Sequence, residues 1–312
     1  MLACISVNPA IDKRVRMAKL TPGEVHRVDS VRAAAGGKAA HVAMVLRTLG
    51  AQPLWIGFAG GAGGQELLTG LLARGVQAVP VAMENATRCN LEIVDDDGTV
   101  TEILEPGAQV SMEEWRAFEA AYAALFRPGG VTAILSGSLP PGVPHECYAD
   151  LIEKAHDLGG TAFLDASGDA LKLALAAGPD FVKSNRSEAE WLTGSSIKNL
   201  ETAVQATAKL ITAGAKSAAI SLGQDGLVWK PSKNGSFYHA QAPKVPCRSA
   251  VGSGDATIAG FAYAAQKGLG VFDSLKLAAA CGAANCLAEL PGQLNAGEVQ
   301  RFERLVKIEA IS

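Results

Sequence analysis

The chain has 312 residues, 48% hydrophobic and 19% charged, a size and composition suited to one large α/β domain or one domain carrying a small accessory piece. Its 28 basic and 31 acidic residues leave a formal charge of -3, which argues against nucleic acid or an anionic membrane surface as a partner and leaves phosphate binding to local basic groups. Residues 1–8 are too short and too quickly polar for a signal peptide, no apolar run approaches the roughly 20 residues of a membrane span, and six cysteines without CxxC spacing read as free thiols, so a cytoplasmic protein is expected.

Strand-like and helical stretches take turns from the start. Residues 2–7 read as a strand, 40–49 as a helix, 54–58 as a strand, 65–74 as a helix, 131–136 as a strand, 145–156 as a helix, and 161–165 and 181–183 as strands. That order implies right-handed crossovers and a mainly parallel central sheet covered by helices on both faces, a three-layer α/β/α fold. Two segments break the rhythm. Within 12–34, Val25-His26-Arg27-Val28 alternates apolar and polar residues as half-exposed strands do. Within 87–106, two strands flank Asp95-Asp96-Asp97-Gly98, a turn in which Gly98 can take positive φ. Together they predict a small β-sheet standing off the main layer as a lid, inserted in a single domain of residues 1–312. The run Gly57 to Gly64 joins a strand to a helix and serves close packing, a ligand, or both. Beyond residue 217 the pattern resumes with a strand, a strand pair near 227–230 and 237–240, and two small-residue helices after Gly254 and Phe272.

Several junctions carry chemistry. Asp12 lies just past the first strand, where α/β proteins bind ligands, and either accepts sugar hydroxyls or makes an Asx turn. Gly36-Gly37-Lys38 opens a helix with exposed N–H groups and a point charge, suited to an anion; a plain glycine turn with a solvated lysine is the alternative. It is not a Walker A loop, because Ala39 follows the lysine and the earlier glycine is missing. Ser136 to Gly142 offers hydroxyls and N–H groups after a strand, and Ser221 to Gly226 ends another strand in a turn that borders a nucleotide or closes a hairpin. Asn185 and Glu188 are spaced as a capping box, or as a site for hydrated magnesium, which needs few protein ligands. Gly252-Ser253-Gly254-Asp255 runs into a small-residue helix. Its N–H groups favour an anion, and a carboxylate beside an anion site reads as a base for a hydroxyl attacking a phosphoryl group. Asp255 as a simple helix-dipole partner is the competing reading.

Taken together, these segments resemble the phosphofructokinase B family of ribokinase-like sugar kinases, most closely its 1-phosphofructokinase and tagatose-6-phosphate kinase branch. The likeness rests on 8–12, Gly36-Gly37-Lys38, Thr87-Arg88-x-Asn90, Glu105-Pro106-Gly107, 136–142, Asp165 to Gly168, Asn185-x-x-Glu188, 221–226 and 252–255. The resemblance implies an ATP- and Mg2+-dependent kinase that phosphorylates a ketohexose phosphate, fructose 1-phosphate or tagatose 6-phosphate, to a 1,6-bisphosphate. Asp255 would be the general base, with Gly252, Ser253 and Gly254 presenting N–H groups to the transferred phosphoryl. Asp12, Gly36, Gly37, Lys38, His41, Arg88 and Ser138, with Arg27 from the lid, would hold the sugar and its phosphate. Lys183, Asn185, Ser221, Gly223, Gly226 and Asn285 would border ATP, Asn185 and Glu188 would organise Mg2+ through water, and the lid would pair two subunits. The chain departs from the family at Ala39 and His41, where Gly-Gly-Lys-Gly-x-Asn is the pattern, at Leu104, and at Ser184 in place of proline. Kinases for a neutral sugar or nucleoside are the alternative within the family. A sugar-phosphate sensor without catalysis is the alternative outside it.

Overall fold

Leu2, Ala3, Cys4, Ile5 and Ser6 are all buried, and a strand buried on both faces needs helices above and below it. The computed structural model describes residues 1–126 and 130–311. Its strands are β1 (Leu2–Ser6), β2 (Ala10–Met17), β3 (Ser30–Gly36), β4 (Leu54–Ala59), β5 (Gln77–Ala82), β6 (Arg88–Asp95), β7 (Val100–Leu104), β8 (Thr132–Ser136), β9 (Thr161–Asp165), β10 (Phe181–Asn185), β11 (Ala218–Ser221), β12 (Leu227–Lys230), β13 (Phe237–Gln241) and β14 (Lys307–Ile311). Its helices are α1 (Lys38–Thr48), α2 (Gly61–Ala73), α3 (Met112–Ala123), α4 (Cys147–Asp157), α5 (Gly168–Ala176), α6 (Arg186–Thr193), α7 (Leu200–Thr212), α8 (Ser253–Lys267), α9 (Val271–Asn285) and α10 (Ala296–Glu303).

Ten strands form the main sheet in the order β14-β13-β12-β11-β10-β9-β8-β1-β4-β5. The seven from β11 to β5 are parallel, and β12, β13 and β14 add an antiparallel edge. The period of two divides β1 between the layers. Leu2 and Cys4 pack with α1, α8 and α9, and Ala3 and Ile5 pack with α3, α4, α5 and α7. From β1 the chain builds outward first through β4 and β5, then on the other side through β8 to β11. The order therefore reverses beside β1, and such a reversal opens a crevice at the carboxyl ends of the strands. Among the described residues no helix is long and apolar enough to cross a membrane.

The second sheet is β3-β2-β6-β7, with β2 antiparallel to β3 but parallel to β6. Val15, Met17 and Ile93 give it a small core of its own. A buried ion pair lies within it, Arg14 Nε and Nη2 donating to Glu92 at 2.8 and 2.9 Å, and Glu92 ties the sheet to the body by accepting from Ser249 Oγ at 2.7 Å. The lid forecast holds, with one correction. Val25 to Val28 is not a strand but part of the irregular link between β2 and β3, where His26 bonds back to the Thr21 backbone. The alternation there reflects a solvent-facing loop with no partner strand. Helices α1 and α2 begin earlier than their apolar periodicity suggests, at Lys38 and Gly61.

The glycine run proves to be a packing device. A Cβ at Gly57 would stand 2.5 Å from the Trp55 ring, at Gly60 2.0 Å from Asn85 O, and at Gly63 2.8 Å from Thr87 O. All six cysteines are unpaired, three of them buried.

Candidate active site

The crevice beside β1 widens into a cleft of about 1460 Å³, larger than the usual single-ligand pocket and able to take two. Short connections at strand ends deliver its side chains: Asn8 after β1, Ser138 after β8, Asn185 at the end of β10, Ser221 at the end of β11. The lid closes one side with Asp12, Arg88 and Asn90.

Lysines and carboxylates organise the floor. Asp165, wholly buried at the end of β9, receives Lys38 Nζ at 2.7 Å and Lys183 Nζ at 2.8 Å. Burial works against its charge, but the two ammonium groups outweigh it and hold its pKa at about 2. Lys38 also lies 3.5 Å from Glu188 Oε1. Burial opposes its charge too, yet Asp165, Glu188 and Asp255 raise its pKa above the usual lysine range. Sequence reasoning left Asp165 out of the site. Its signal was a carboxylate at a strand end followed by Ala166-Ser167-Gly168, and the partner lysines lie 127 and 18 residues away.

Gly252 takes φ 79° as N-cap of α8, a conformation that favours glycine. The N–H groups of Gly252, Gly254 and Asp255 have no partner among the described residues, whereas the Ser253 N–H donates to Ala250 O at 3.0 Å. Three donors at a helix start thus point to an anion. A Cβ at Gly254 would stand 2.6 Å from Lys183 Nζ, so a side chain there would displace the ammonium. Asp255 is 5% exposed and borders the same cleft as Lys38.

His41, on the inner face of α1, joins two acids. Its Nδ1 lies 2.7 Å from Asp255 Oδ2 and its Nε2 lies 2.7 Å from Asp12 Oδ2. Asp12 accepts further from Asn90 Nδ2 at 2.9 Å. Gly36 clears space for this carboxylate, since a Cβ there would stand 2.3 Å from Asp12 Cγ. Burial tends to raise the Asp12 pKa, but the bonds and charge of His41, with Asn90 and the Gly37 N–H, bring it below the ordinary value.

Of the residues singled out from sequence, all border the cleft except three. Gly36 acts behind Asp12. Arg27 is exposed in the irregular lid link and away from the cleft, because the strand expected to carry it does not form. Asn285 is buried and braces the anion loop: Nδ2 donates to Val251 O at 2.8 Å and Oδ1 accepts from Gly292 N at 2.9 Å. Asn185 and Glu188 do form the capping box, each side chain accepting from the other's N–H. Glu188 Oε2 serves the cap, and Oε1 remains directed at Lys38.

Two buried atoms show what the cleft lacks. Among the described residues Arg88 Nε and Asn90 Oδ1 have no hydrogen-bond partner, and a buried donor and acceptor left open beside a cleft suit a hydroxyl-rich anion. No group of three or more His, Cys, Asp or Glu among the described residues is arranged to hold a metal ion. Glu188 Oε1 nevertheless fits magnesium, which binds through one or two carboxylates together with water and substrate phosphates.

Comparison with known proteins agrees with this geometry. The profile of the pfkB family carbohydrate kinases matches residues 4–294. The 1-phosphofructokinase of Rhodobacter capsulatus is 34% identical over 280 residues, covering 89% of this chain and 88% of that protein. The 1-phosphofructokinase of Xanthomonas campestris is 36% identical over 267 residues, covering 83% and 82%. Among solved structures, phosphofructokinase-2 from Escherichia coli in complex with substrates and products superposes with a TM-score of 0.90 at 26% identity, covering 98% of each chain. Similarity of that extent, on a fold that sets a lid sheet over a cleft at the strand reversal, makes this chain a member of the pfkB family of carbohydrate kinases.

Proposed function

We propose that the chain transfers the terminal phosphoryl group of ATP to a hydroxyl of a ketohexose phosphate, with fructose 1-phosphate as acceptor and the 1,6-bisphosphate as product. The observation that carries this reading is the placement of Asp255 at the open N–H groups of α8, in one cleft with the cations Lys38 and Arg88. A substrate that is already charged calls for more cation than a neutral sugar does. The 1-phosphofructokinases among the relatives support the same acceptor.

In this reading the lid residues Asp12, Asn90 and Arg88 bind the sugar phosphate, and the acceptor hydroxyl meets Asp255. Asp255 takes the hydroxyl proton as the oxygen attacks phosphorus. The N–H groups of Gly252, Gly254 and Asp255 stabilise charge on the transferred phosphoryl. Lys38 and Lys183, locked on Asp165, keep positive potential on the cleft floor. Magnesium, carried on the nucleotide phosphates, would supply charge neutralisation near Glu188. The anion loop is held ready by Asn285. The lid presents Val31 and Ile103 to solvent, which supports pairing of two chains through it, checked by sedimentation equilibrium. The enzyme would work in the cytoplasm, where ATP is available.

The test is ADP release across fructose 1-phosphate, tagatose 6-phosphate, fructose 6-phosphate, fructose, ribose and adenosine. Turnover with a ketohexose phosphate is expected. Turnover on the neutral compounds alone would replace the reading with a neutral-sugar or nucleoside kinase, and binding with no ADP release on any of them would favour a sensor.

A further inference from the structure

His41 stands where the Gly-Gly-Lys-Gly-x-Asn pattern has asparagine and it borders the cleft, yet neither of its nitrogens is left for a sugar. Nδ1 meets Asp255 and Nε2 meets Asp12, both at 2.7 Å, and the ring is 5% exposed. The backbone behind it is closed, because a Cβ at Gly292 would stand 2.8 Å from His41 Cα. A neutral imidazole has one donor and one acceptor, so between two ionised carboxylates it would turn a lone pair on one of them. With both nitrogens protonated, each N–H donates to a carboxylate and the mismatch disappears.

We propose that His41 is a positioning residue, a cationic clasp that binds Asp255 Oδ2 and thereby leaves Oδ1 for the acceptor hydroxyl, while tying the base to the lid through Asp12 and Asn90. Oδ1 of Asp255 has no partner among the described residues. The chain of contacts runs Asn90 on β6, Asp12 on β2, His41 on α1, Asp255 on α8, so seating of the lid and orientation of the base are mechanically one arrangement. The charged groups facing the ring are Asp12 from β2 and Asp255 from α8. Lys38, one turn earlier on α1, faces Asp165, Glu188 and Asp255 instead, and from the loop after α9 Gly292 closes against the His41 backbone. Burial disfavours the imidazolium, but the bonds and charges of the two acids exceed that cost and raise its pKa to about 10. The clasp is therefore closed at neutral pH and opens as pH rises through that value.

This inference rests on the proposed kinase reading for its kinetic arm only. In His41→Gln and His41→Asn, each neutral and able to donate to one carboxylate, kcat for fructose 1-phosphate should fall about 10- to 100-fold with KM within about threefold, the pattern of a misoriented base. The alkaline limb of the wild-type kcat profile near pH 10 should vanish in both. A second measurement needs no substrate: ¹⁵N-histidine NMR of the wild-type protein should show His41 with both nitrogens protonated at pH 8, and Asp255→Asn should shift its titration downward. A neutral His41 at pH 8, or folded variants with wild-type kcat and pH profile, would overturn the clasp and leave the kinase reading standing. Absence of turnover on every sugar would sink the kinase reading, with the NMR result still deciding the clasp.

Discussion

Replacing Asp165 by Asn tests how the cleft floor is held together. The carboxylate has no exposed surface and accepts from Lys38 at 2.7 Å and Lys183 at 2.8 Å. Asparagine keeps the shape but removes the charge and turns an NH2 donor toward one ammonium. Lys38 has Glu188 in reserve at 3.5 Å, whereas Lys183, with 3% of its side chain exposed, has no second carboxylate within 4 Å among the described residues. The damage therefore falls on Lys183. Breaking a buried pair costs about 3–5 kcal/mol. Part of that titrates: a pKa of about 2 against an ordinary 3.8 corresponds to about 2 kcal/mol at 1.36 kcal/mol per pH unit. An acid with a lowered pKa contributes this fully above about pH 4 and loses it as pH falls through about 2. Urea unfolding of wild type and Asp165→Asn from pH 8 to pH 3 should show a constant gap down to about pH 4 that narrows below it. A gap under about 1 kcal/mol at pH 7, or one that stays constant to pH 3, would refute the reasoning.

Three further outcomes follow from the site. Asp255→Asn should lower kcat by at least about three orders of magnitude while substrate binding by calorimetry changes little; near-normal turnover would remove the base from the mechanism. Arg88→Ala removes the guanidinium charge and the open Nε donor at the cleft and should raise KM for the sugar phosphate about 10- to 100-fold, the equivalent of one charge-assisted bond, with kcat affected far less in steady-state kinetics. Gly254→Ala forces Lys183 Nζ away from a Cβ that would stand 2.6 Å from it, so Tm should fall. Helix propensity alone predicts a gain of about 1 kcal/mol, and a rise in Tm would show that Lys183 yields without loss.

The lid was legible because two segments broke a regular strand-helix rhythm, and Asp95 to Gly98 named its hairpin turn. The strand expected at Val25 to Val28 failed for a physical reason: alternation marks a face only if a partner strand lies beside it, and this stretch has none. Strand β14 closes the sheet edge against β13 across some seventy residues, a pairing no local pattern announces. The resemblance set Asn285 beside ATP, and only the fold shows that its amide also holds Val251 and Gly292.

By itself the sequence determined the layers, the glycine turns that lead into α1 and α8, and the presence of an acid at the second of them, because periodicity, caps and anion-binding turns are local properties of a few consecutive residues. Only the tertiary structure decided which charges meet. Asp12, His41 and Asp255 come from three separate elements, as do Lys38, Asp165 and Lys183. Their ionisation depends on burial and on neighbours brought together by the reversal of strand order beside β1, and a one-dimensional pattern holds neither.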